Sequence, residues 1–176
     1  KDEGVIAFLY VGQIESHKGV VELVQAFLNL NKNLAVELHV VGGGSELAKV
    51  KTLSEQDSRI KVYGRVERPD LPGIFAKMDV TVVPSLCYEN SPTVIFESFA
   101  SGVPVLASNI EGIAELIIEG ENGLTFAAGN ILALTERLAW CSTHKTELIA
   151  MRASTQNSIQ GLSLEEYIAR LEKIYV

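Results

Sequence analysis

The 176-residue chain is poor in features that several classes of protein require. Its two cysteines, Cys87 and Cys141, are too few for a disulfide framework or a cysteine-based metal site. No apolar run approaches the roughly 18 residues of a membrane-spanning helix. The 22 acidic residues outnumber the 15 lysines and arginines, and a net charge of −7 argues against a nucleic-acid surface. Any phosphate site must therefore be positive locally.

What the chain does contain is the composition of one globular domain. Hydrophobic residues make up 47% of it, enough for a full core. Apolar runs typical of buried strands alternate with the spacing of amphipathic helices. This pattern predicts strands at residues 5–11, 36–41, 60–63, 80–83, 105–107 and 124–126, and helices at 20–30, 45–53, 71–78, 92–100, 131–142, 145–158 and 164–175. We expect helix caps at Ser45 and Asp70, and a capping box at Ser163–Glu166.

This alternation predicts an α/β, Rossmann-like fold, with a doubly wound, mainly parallel six-stranded sheet and helices on both faces. Ligands of such sheets bind at the carboxyl ends of the strands, near the point where the strand order reverses. Gly42-Gly-Gly44 is neither a P-loop nor a dinucleotide fingerprint, because no Lys-Ser/Thr follows it and it does not follow the first strand. We expect a tight turn there, beside the ligand cleft.

The segment from Glu89 to Glu97 places two carboxylates around a predicted helix start. Pro92 suits the first helical position, with Ser91 as N-cap, because proline lacks an N–H that would have no partner there. The amides of Thr93 and Val94 would then point outward, where a phosphate can bind. Glu97 would lie roughly 7 Å further along the helix axis. One acid on each side of an anion site matches the order of ribose, diphosphate and hexose in a nucleotide-sugar.

Four motifs in order carry a resemblance to a known family. They are Gly12-Gln-Ile-Glu-Ser-His-Lys-Gly19, Tyr63-Gly-Arg-Val66, Pro84-Ser85 with Glu89 and Glu97, and Ala100-Ser-Gly-Val-Pro-Val105 followed by Gly112, Glu115 and Asn122-Gly123. Together they resemble the C-terminal, donor-binding domain of a retaining glycosyltransferase of the GT-B fold, family 4 (glycosyl transferases group 1). The resemblance covers residues 5–176. It implies transfer of a hexose from a nucleotide-diphospho-sugar, with no cofactor and no required metal.

The resemblance also implies roles for particular side chains. Lys18 matches the lysine that contacts the donor diphosphate. Gln13 departs from the family, which most often has an arginine there, and Arg65 or Arg68 could supply the missing charge. Glu97 matches the glutamate that binds the ribose hydroxyls, while Glu89 matches the one near the transferred sugar. The implied donor-binding set is Gly12, Gln13, Lys18, Arg65, Val66 (to the base through its backbone), Asn90, Ser91, Pro92, Thr93, Val94 and Glu97, with Glu89 and Lys18 catalytic and no metal ligands.

Each role has a plainer alternative in the sequence. A loop lysine such as Lys18 is ordinarily a solvated charge, Glu97 a solvated helix acid, and Val66 part of the packing at a strand end. For Glu89 the sequence leaves open whether it holds sugar hydroxyls, stabilises an oxocarbenium-like transition state or acts as a nucleophile. The usual inference for the family is a front-face route without a covalent intermediate.

For the chain as a whole we expect residues 1–176 to form one nucleotide-sugar-binding domain whose N-terminal acceptor domain is absent. The donor would be a UDP- or GDP-hexose, used in glycan, polysaccharide or glycolipid biosynthesis. We expect a cytoplasmic protein that contacts no nucleic acid and meets any membrane, at its inner face, through the N-terminal domain. The isolated domain should be inactive. The alternatives are a non-catalytic nucleotide-binding module and a sugar-nucleotide epimerase of the same fold.

Overall fold

A computed structural model describes residues 4–162 and 164–175 of the chain. The predicted alternation of strands and helices is present throughout this part. The strands are β1 (Ile6–Val11), β2 (Val36–Val41), β3 (Ile60–Gly64), β4 (Val80–Val83), β5 (Val105–Ser108) and β6 (Gly123–Phe126). The helices are α1 (Val20–Leu28), α2 (Leu47–Ser54), α3 (Leu71–Phe75), α4 (Thr93–Ala100), α5 (Ile131–Thr143), α6 (Lys145–Thr155) and α7 (Leu164–Tyr175).

The six strands form one sheet in the order β3-β2-β1-β4-β5-β6, and every neighbouring pair is parallel. The predicted doubly wound α/β fold is confirmed. Because the strand order reverses between β1 and β4, the helices that follow these strands lie on opposite faces of the sheet and leave a crevice at the carboxyl ends of the two strands. This crevice is where a ligand site is expected.

Alternation along the strands sends side chains into cores on both faces of the sheet. Phe8 of β1 belongs to the larger core, which also contains Phe27 of α1 and Leu138 of α5. Its neighbour Leu9 belongs to the opposite core, with Phe75 of α3. The side chains of α4 join a third cluster with β4 and β5. Helices therefore cover both faces, and the sheet is buried as a parallel sheet must be.

Three helices end earlier than the sequence pattern predicts. The apolar periodicity continues past each end, but the chain there tightens into i→i+3 bonds of the 3₁₀ type. The observed ends are Leu28, Phe75 and Thr155 instead of Leu30, Met78 and Ser158. After the first two ends, the amides of Leu30 and Met78 donate to the carbonyl oxygens of Phe27 and Phe75. After the third, residues Gln156–Ile159 form a 3₁₀ turn.

Of two predicted helix caps, the one at Ser45 is wrong and the one at Asp70 is confirmed in position only. Glu46, rather than Ser45, is the N-cap of α2, because the hydroxyl and amide of Ser45 both donate to the carboxylate of Glu15. Asp70 is the N-cap residue of α3, as predicted, but its side chain accepts no capping hydrogen bond, since it closes a 3₁₀ turn that runs directly into the helix. The Ser163 capping box lies outside the described residues.

Within residues 4–162 and 164–175, none of the helices combines the length and the apolar character that crossing a bilayer demands. In the same part of the chain, histidine, cysteine and acidic side chains do not gather in threes around a point that could hold a metal ion.

A buried carboxylate stabilises the start of β3. The Asp57 side chain is only 4% exposed and accepts hydrogen bonds from Arg59 Nη2 at 2.8 Å and Lys32 Nζ at 2.7 Å. Arg59 in turn donates to the carbonyl oxygens of Asn31 and Leu34, each at 3.1 Å. The hydrogen bonds from Arg59 and Lys32 hold the pKa of Asp57 well below its ordinary value, although burial opposes the shift.

Asp57→Asn should lower the free energy of unfolding at pH 7 by about 1–3 kcal/mol, because Arg59 loses its charged acceptor. A depressed folded-state pKa contributes stability above the unfolded pKa, near 3.9, and that contribution is lost as the pH falls below it. The difference between wild type and variant should thus shrink below about pH 4. Thermal melts from pH 7 to pH 3 measure it. Asp70→Asn is the control, and an equal loss there or a pH-independent difference would contradict the prediction.

Candidate functional site

A cavity of about 380 Å³ lies at the carboxyl ends of β1 and β4, and we call it the β1–β4 cleft. The loop after β1, the loop after β4 and the first turn of α4 form its walls. Eight residues predicted from the sequence line it: Gly12, Gln13, Lys18, Glu89, Pro92, Thr93, Val94 and Glu97. The topology therefore brings together residues that are up to 85 positions apart, as Gly12 and Glu97 are.

The two loops that carry Lys18 and Glu89 pack directly on one another. The amide of Leu86 donates to the carbonyl oxygen of His17 at 2.8 Å. Gly19 has φ +69°, and a β-carbon at this position would lie 1.9 Å from the carbonyl oxygen of Pro84. Only glycine allows this conformation together with this approach. The close contact fixes Lys18 beside the end of β4.

Lys18 and Glu89 form an ion pair inside the cleft. Lys18 Nζ lies 2.5 Å from Glu89 Oε1, and the two side chains are 24% and 14% exposed. The hydroxyl of Ser85, which is buried, donates to the same carboxylate oxygen at 2.8 Å. Two donors thus hold Glu89 in position, and the charge of Lys18 is partly balanced before any ligand binds.

Tyr10 is a cleft residue that the sequence did not reveal, since its position inside an apolar strand looks like ordinary core. Its hydroxyl donates to the carbonyl oxygen of Gln13 at 2.5 Å and so supports the turn after β1. Burial, and after it the negative charges of Glu89 and Glu15, raise the pKa of Tyr10 well above its ordinary value. The phenol therefore stays neutral and remains a donor throughout the physiological pH range.

The start of α4 differs from the prediction in one detail. Pro92 is the N-cap, with φ −63° and ψ 118°, and the helix begins at Thr93. Ser91, predicted as the cap, has φ +60° and no capping role, because the chain makes a left-handed turn there before it enters the helix. The amide of Ile95 bonds to the carbonyl oxygen of Pro92. The first-turn amides of Thr93 and Val94 precede it, where helix geometry provides no partner.

Four predicted site residues do not line the cleft. Arg65 and Ser91 are exposed beside it. Val66 packs, half-buried, against the core that contains Phe75. Asn90 lines a neighbouring, more open cavity of about 490 Å³ together with Glu89.

Of the two arginines that could replace the charge missing at Gln13, Arg68 lines the β1–β4 cleft and Arg65 does not. The 3₁₀ turn at Arg68–Asp70 places this side chain there. The sequence could not separate the two arginines because both lie in the same irregular segment.

A family model described as glycosyl transferases group 1 matches residues 1–158. The chain belongs to the glycosyl transferases group 1 family. The family predicted from the four motifs is thereby confirmed.

Two curated members of the group 1 family show the extent of the similarity. The chain is 29% identical over 138 residues to the glycogen synthase of Mycobacterium tuberculosis, and 31% identical over 131 residues to the D-inositol 3-phosphate glycosyltransferase of Pseudarthrobacter chlorophenolicus. These matches cover 74% and 70% of this chain but only 32% and 31% of those proteins. The chain spans about a third of the length of these relatives.

Solved structures agree on the fold. The sucrose-phosphate synthase of Thermosynechococcus elongatus superposes with a TM-score of 0.85 at 23% identity, over 97% of this chain and 45% of that one. Anabaena Alr3699/HepE, solved in complex with UDP, superposes with a TM-score of 0.75 at 26% identity, over 89% of this chain and 44% of its own.

Gly19→Ala should lower the melting temperature by several degrees more than Gly102→Ala. Both glycines have φ +69°, so both substitutions carry the same left-handed strain of about 1–2 kcal/mol. Only the β-carbon at position 19 would collide with another segment, because Gly102 has open space around it. Thermal melts of the two variants and of the wild type measure how far each substitution lowers the melting temperature. Equal destabilisation would mean that the two loops do not depend on their contact at Gly19.

Proposed function

We propose that this chain is the donor-binding domain of a retaining glycosyltransferase and that a nucleotide-diphospho-sugar occupies the β1–β4 cleft. The observation that supports this proposal is that Lys18, Glu89 and Glu97 line one cavity around the first turn of α4. A cation and outward amides suit a diphosphate, and carboxylates suit sugar hydroxyls.

The diphosphate would lie between Lys18 and the amides of Thr93 and Val94. Lys18 starts in an ion pair with Glu89, so a phosphate oxygen entering the cleft competes for the same ammonium group. The overall charge of −7 repels anions from most of the surface. Local positive charge, from Lys18 and Arg68 in the cleft lining and from the N-terminal end of α4, would therefore decide where an anionic ligand binds.

The ribose would lie one turn further along α4. Glu97 follows Thr93 by four residues, which is about 6 Å along the helix axis. A carboxylate accepts hydrogen bonds from two adjacent hydroxyls, and a ribose presents such a pair. The distance along the helix thus follows the order of diphosphate and ribose in the ligand.

Glu89 would face the hexose that is transferred. In the reaction the bond between the anomeric carbon and the diphosphate oxygen breaks, and its electron pair leaves with the diphosphate. The acceptor oxygen bonds to the anomeric carbon and its proton passes to a departing phosphate oxygen. A carboxylate held by Lys18 and Ser85 can stabilise the positive charge that develops on the sugar. We propose that no metal is required, since Lys18 and the α4 amides oppose the leaving diphosphate.

The relatives named above support a hexosyl donor. HepE is solved with UDP, and the curated relatives include a glycogen synthase and an inositol phosphate glycosyltransferase. We therefore propose a UDP- or GDP-hexose donor and a role in glycan, polysaccharide or glycolipid synthesis. An N-terminal domain would bind the acceptor, and any membrane contact would be made through that domain.

A second candidate is a nucleotide-binding module that does not catalyse transfer. The neutral side chain of Gln13 in the cleft lining favours this candidate. Where the family most often has an arginine, this chain has no cation at that position to oppose the leaving diphosphate. Such a module would bind nucleotide but show no dependence of transfer on Glu89.

Calorimetric titration of the 176-residue chain should show binding of UDP or GDP that weakens as salt is added. Lys18→Ala should weaken this binding by about tenfold or more, because a charge-assisted hydrogen bond to phosphate is lost. Lys49→Ala removes an exposed lysine on α2 and should leave the affinity unchanged. An unaltered affinity in Lys18→Ala would show that the diphosphate does not bind beside this lysine.

Sugar transfer should require a longer chain that contains the acceptor domain, since closing the cleft excludes water from the reaction. In that enzyme Glu89→Ala should reduce the turnover number about 100- to 1,000-fold, the range found when one stabilising group of a transition state is removed. The exposed Glu121→Ala is the control. Transfer should persist in EDTA. Robust transfer by the 176 residues alone, or near-normal turnover in Glu89→Ala, would refute these assignments.

A further inference from the structure

The turn after β1 is held in place by the loop after β2. The amide of Gly12 donates to the carbonyl oxygen of Val41 at 3.1 Å. The amide of Ile14 donates to the carbonyl oxygen of Gly43 at 2.9 Å. A β-carbon at Gly42 would lie 1.8 Å from the carbonyl oxygen of Gly12, so the two loops are in direct backbone contact. The path of the turn is therefore fixed on the side of β2.

Tyr10 holds the same turn from beneath. Its hydroxyl donates to the carbonyl oxygen of Gln13 at 2.5 Å, and the residue is only 4% exposed although it lines the β1–β4 cleft. The peptide group between Gln13 and Ile14 is thus bonded at both ends, to Tyr10 through its carbonyl oxygen and to Gly43 through its N–H. Because a peptide group is planar, these two bonds together fix its orientation.

The backbone N–H of Gln13 is left free by this arrangement. Among the residues that the structure describes, none accepts a hydrogen bond from it. It shares a trans peptide group with the carbonyl oxygen of Gly12, which faces Gly42 at the end of β2. Since the C=O and N–H of a trans peptide point in opposite directions, this N–H points away from β2. In the sheet β1 lies between β2 and β4, so the N–H is directed to the side of the β1–β4 cleft.

Resting on the proposed function of the cleft, we propose that Tyr10 is a positioning residue for the diphosphate of the donor. Through its hydrogen bond to Gln13 it holds the turn so that the free N–H of that residue donates to a phosphate oxygen. This N–H takes the place of the arginine side chain that the family most often has there. A backbone N–H carries no net charge, but a hydrogen bond from it to an anionic oxygen is among the stronger ones in proteins.

The chemistry of Tyr10 suits this role. Burial, and after it the charges of Glu89 and Glu15, raise the pKa of its phenol. The hydroxyl therefore stays a donor to the Gln13 carbonyl and adds no negative charge beside an anion site. A phenylalanine would fill the same space but would leave that carbonyl unbonded and the peptide group free to rotate. The plainer alternative is that the hydroxyl of Tyr10 stabilises the fold and has no effect on the ligand.

Magnetic resonance of the isotope-labelled 176-residue chain tests the free N–H directly. Saturation with inorganic pyrophosphate should move the amide proton resonance of Gln13 downfield, because a hydrogen bond to an anionic oxygen deshields the proton. In Tyr10→Phe the shift at saturation should be smaller, since the turn is no longer held. Tyr175→Phe removes a hydroxyl at a position that is 84% exposed on the last helix, and this matched control should give the wild-type shift.

Calorimetry of the same chain measures what the N–H contributes to affinity. Gln13→Pro removes the N–H and should weaken binding of pyrophosphate and of UDP or GDP by about tenfold or more. Gln13→Ala keeps the N–H and should lose less affinity than Gln13→Pro. Tyr10→Phe should weaken pyrophosphate and nucleotide by the same factor, about three- to tenfold, because both ligands carry a diphosphate.

A double variant separates positioning from simple stabilisation. Tyr10→Phe combined with Gln13→Pro should bind no more weakly than Gln13→Pro alone, because without the N–H the tyrosine has no donor to position. Additive losses would instead assign to Tyr10 a purely structural role. Thermal melts show whether each variant is folded. If Gln13→Pro does not fold, the amide resonance and the affinities of Tyr10→Phe decide.

The outcomes distinguish this role from the function on which it rests. A Gln13 resonance that does not move in saturated wild type, or unaltered affinities in Tyr10→Phe, would overturn the role of Tyr10 and leave the proposed function intact. If UDP, GDP and pyrophosphate all fail to bind to wild type, the proposed function itself fails, and the role of Tyr10 fails with it.

Discussion

The contact between the loop after β1 and the loop after β4 is the constraint on which the site depends. At Gly19 the first loop approaches the Pro84 carbonyl more closely than any side chain would permit, and the Leu86 amide bonds to His17. This contact brings Lys18 to Glu89, although they are 71 residues apart in sequence. A second close approach, between Gly112 and the Glu89 carbonyl oxygen, supports the same residue from the loop after β5.

The charges of the site form an ion pair of opposite charges rather than one positive patch. Lys18 is paired with Glu89, and Ser85 donates to the same carboxylate. A chain with net charge −7 has little long-range attraction for a nucleotide, so specificity must come from short-range donors. Pairing keeps the carboxylate and the ammonium desolvated and oriented, and such preorganisation favours a ligand that matches both.

The sequence predicted the fold well because its signals are local and repeated. Six apolar runs and the helices between them gave the strands with errors of one residue, and the family motifs led to eight residues of the cleft lining. It was wrong where two local signals compete. Ser91 resembles a helix cap in the sequence, but its backbone is left-handed. Ser45 also resembles a cap, but its hydroxyl donates to Glu15, which lies in the loop after β1.

The sequence by itself determined the fold class, because buried strands and amphipathic helices leave their patterns in consecutive residues. It also determined the family, because each of the four motifs is a short local segment. Only the tertiary structure decided which side chains share a cavity. Arg65 and Arg68 are equivalent in sequence, yet Arg68 alone reaches the β1–β4 cleft, and Tyr10 looks like core but lines it. The physical reason is that lining depends on how separate loops pack, and backbone contacts such as that at Gly19 are set by residues far apart along the chain.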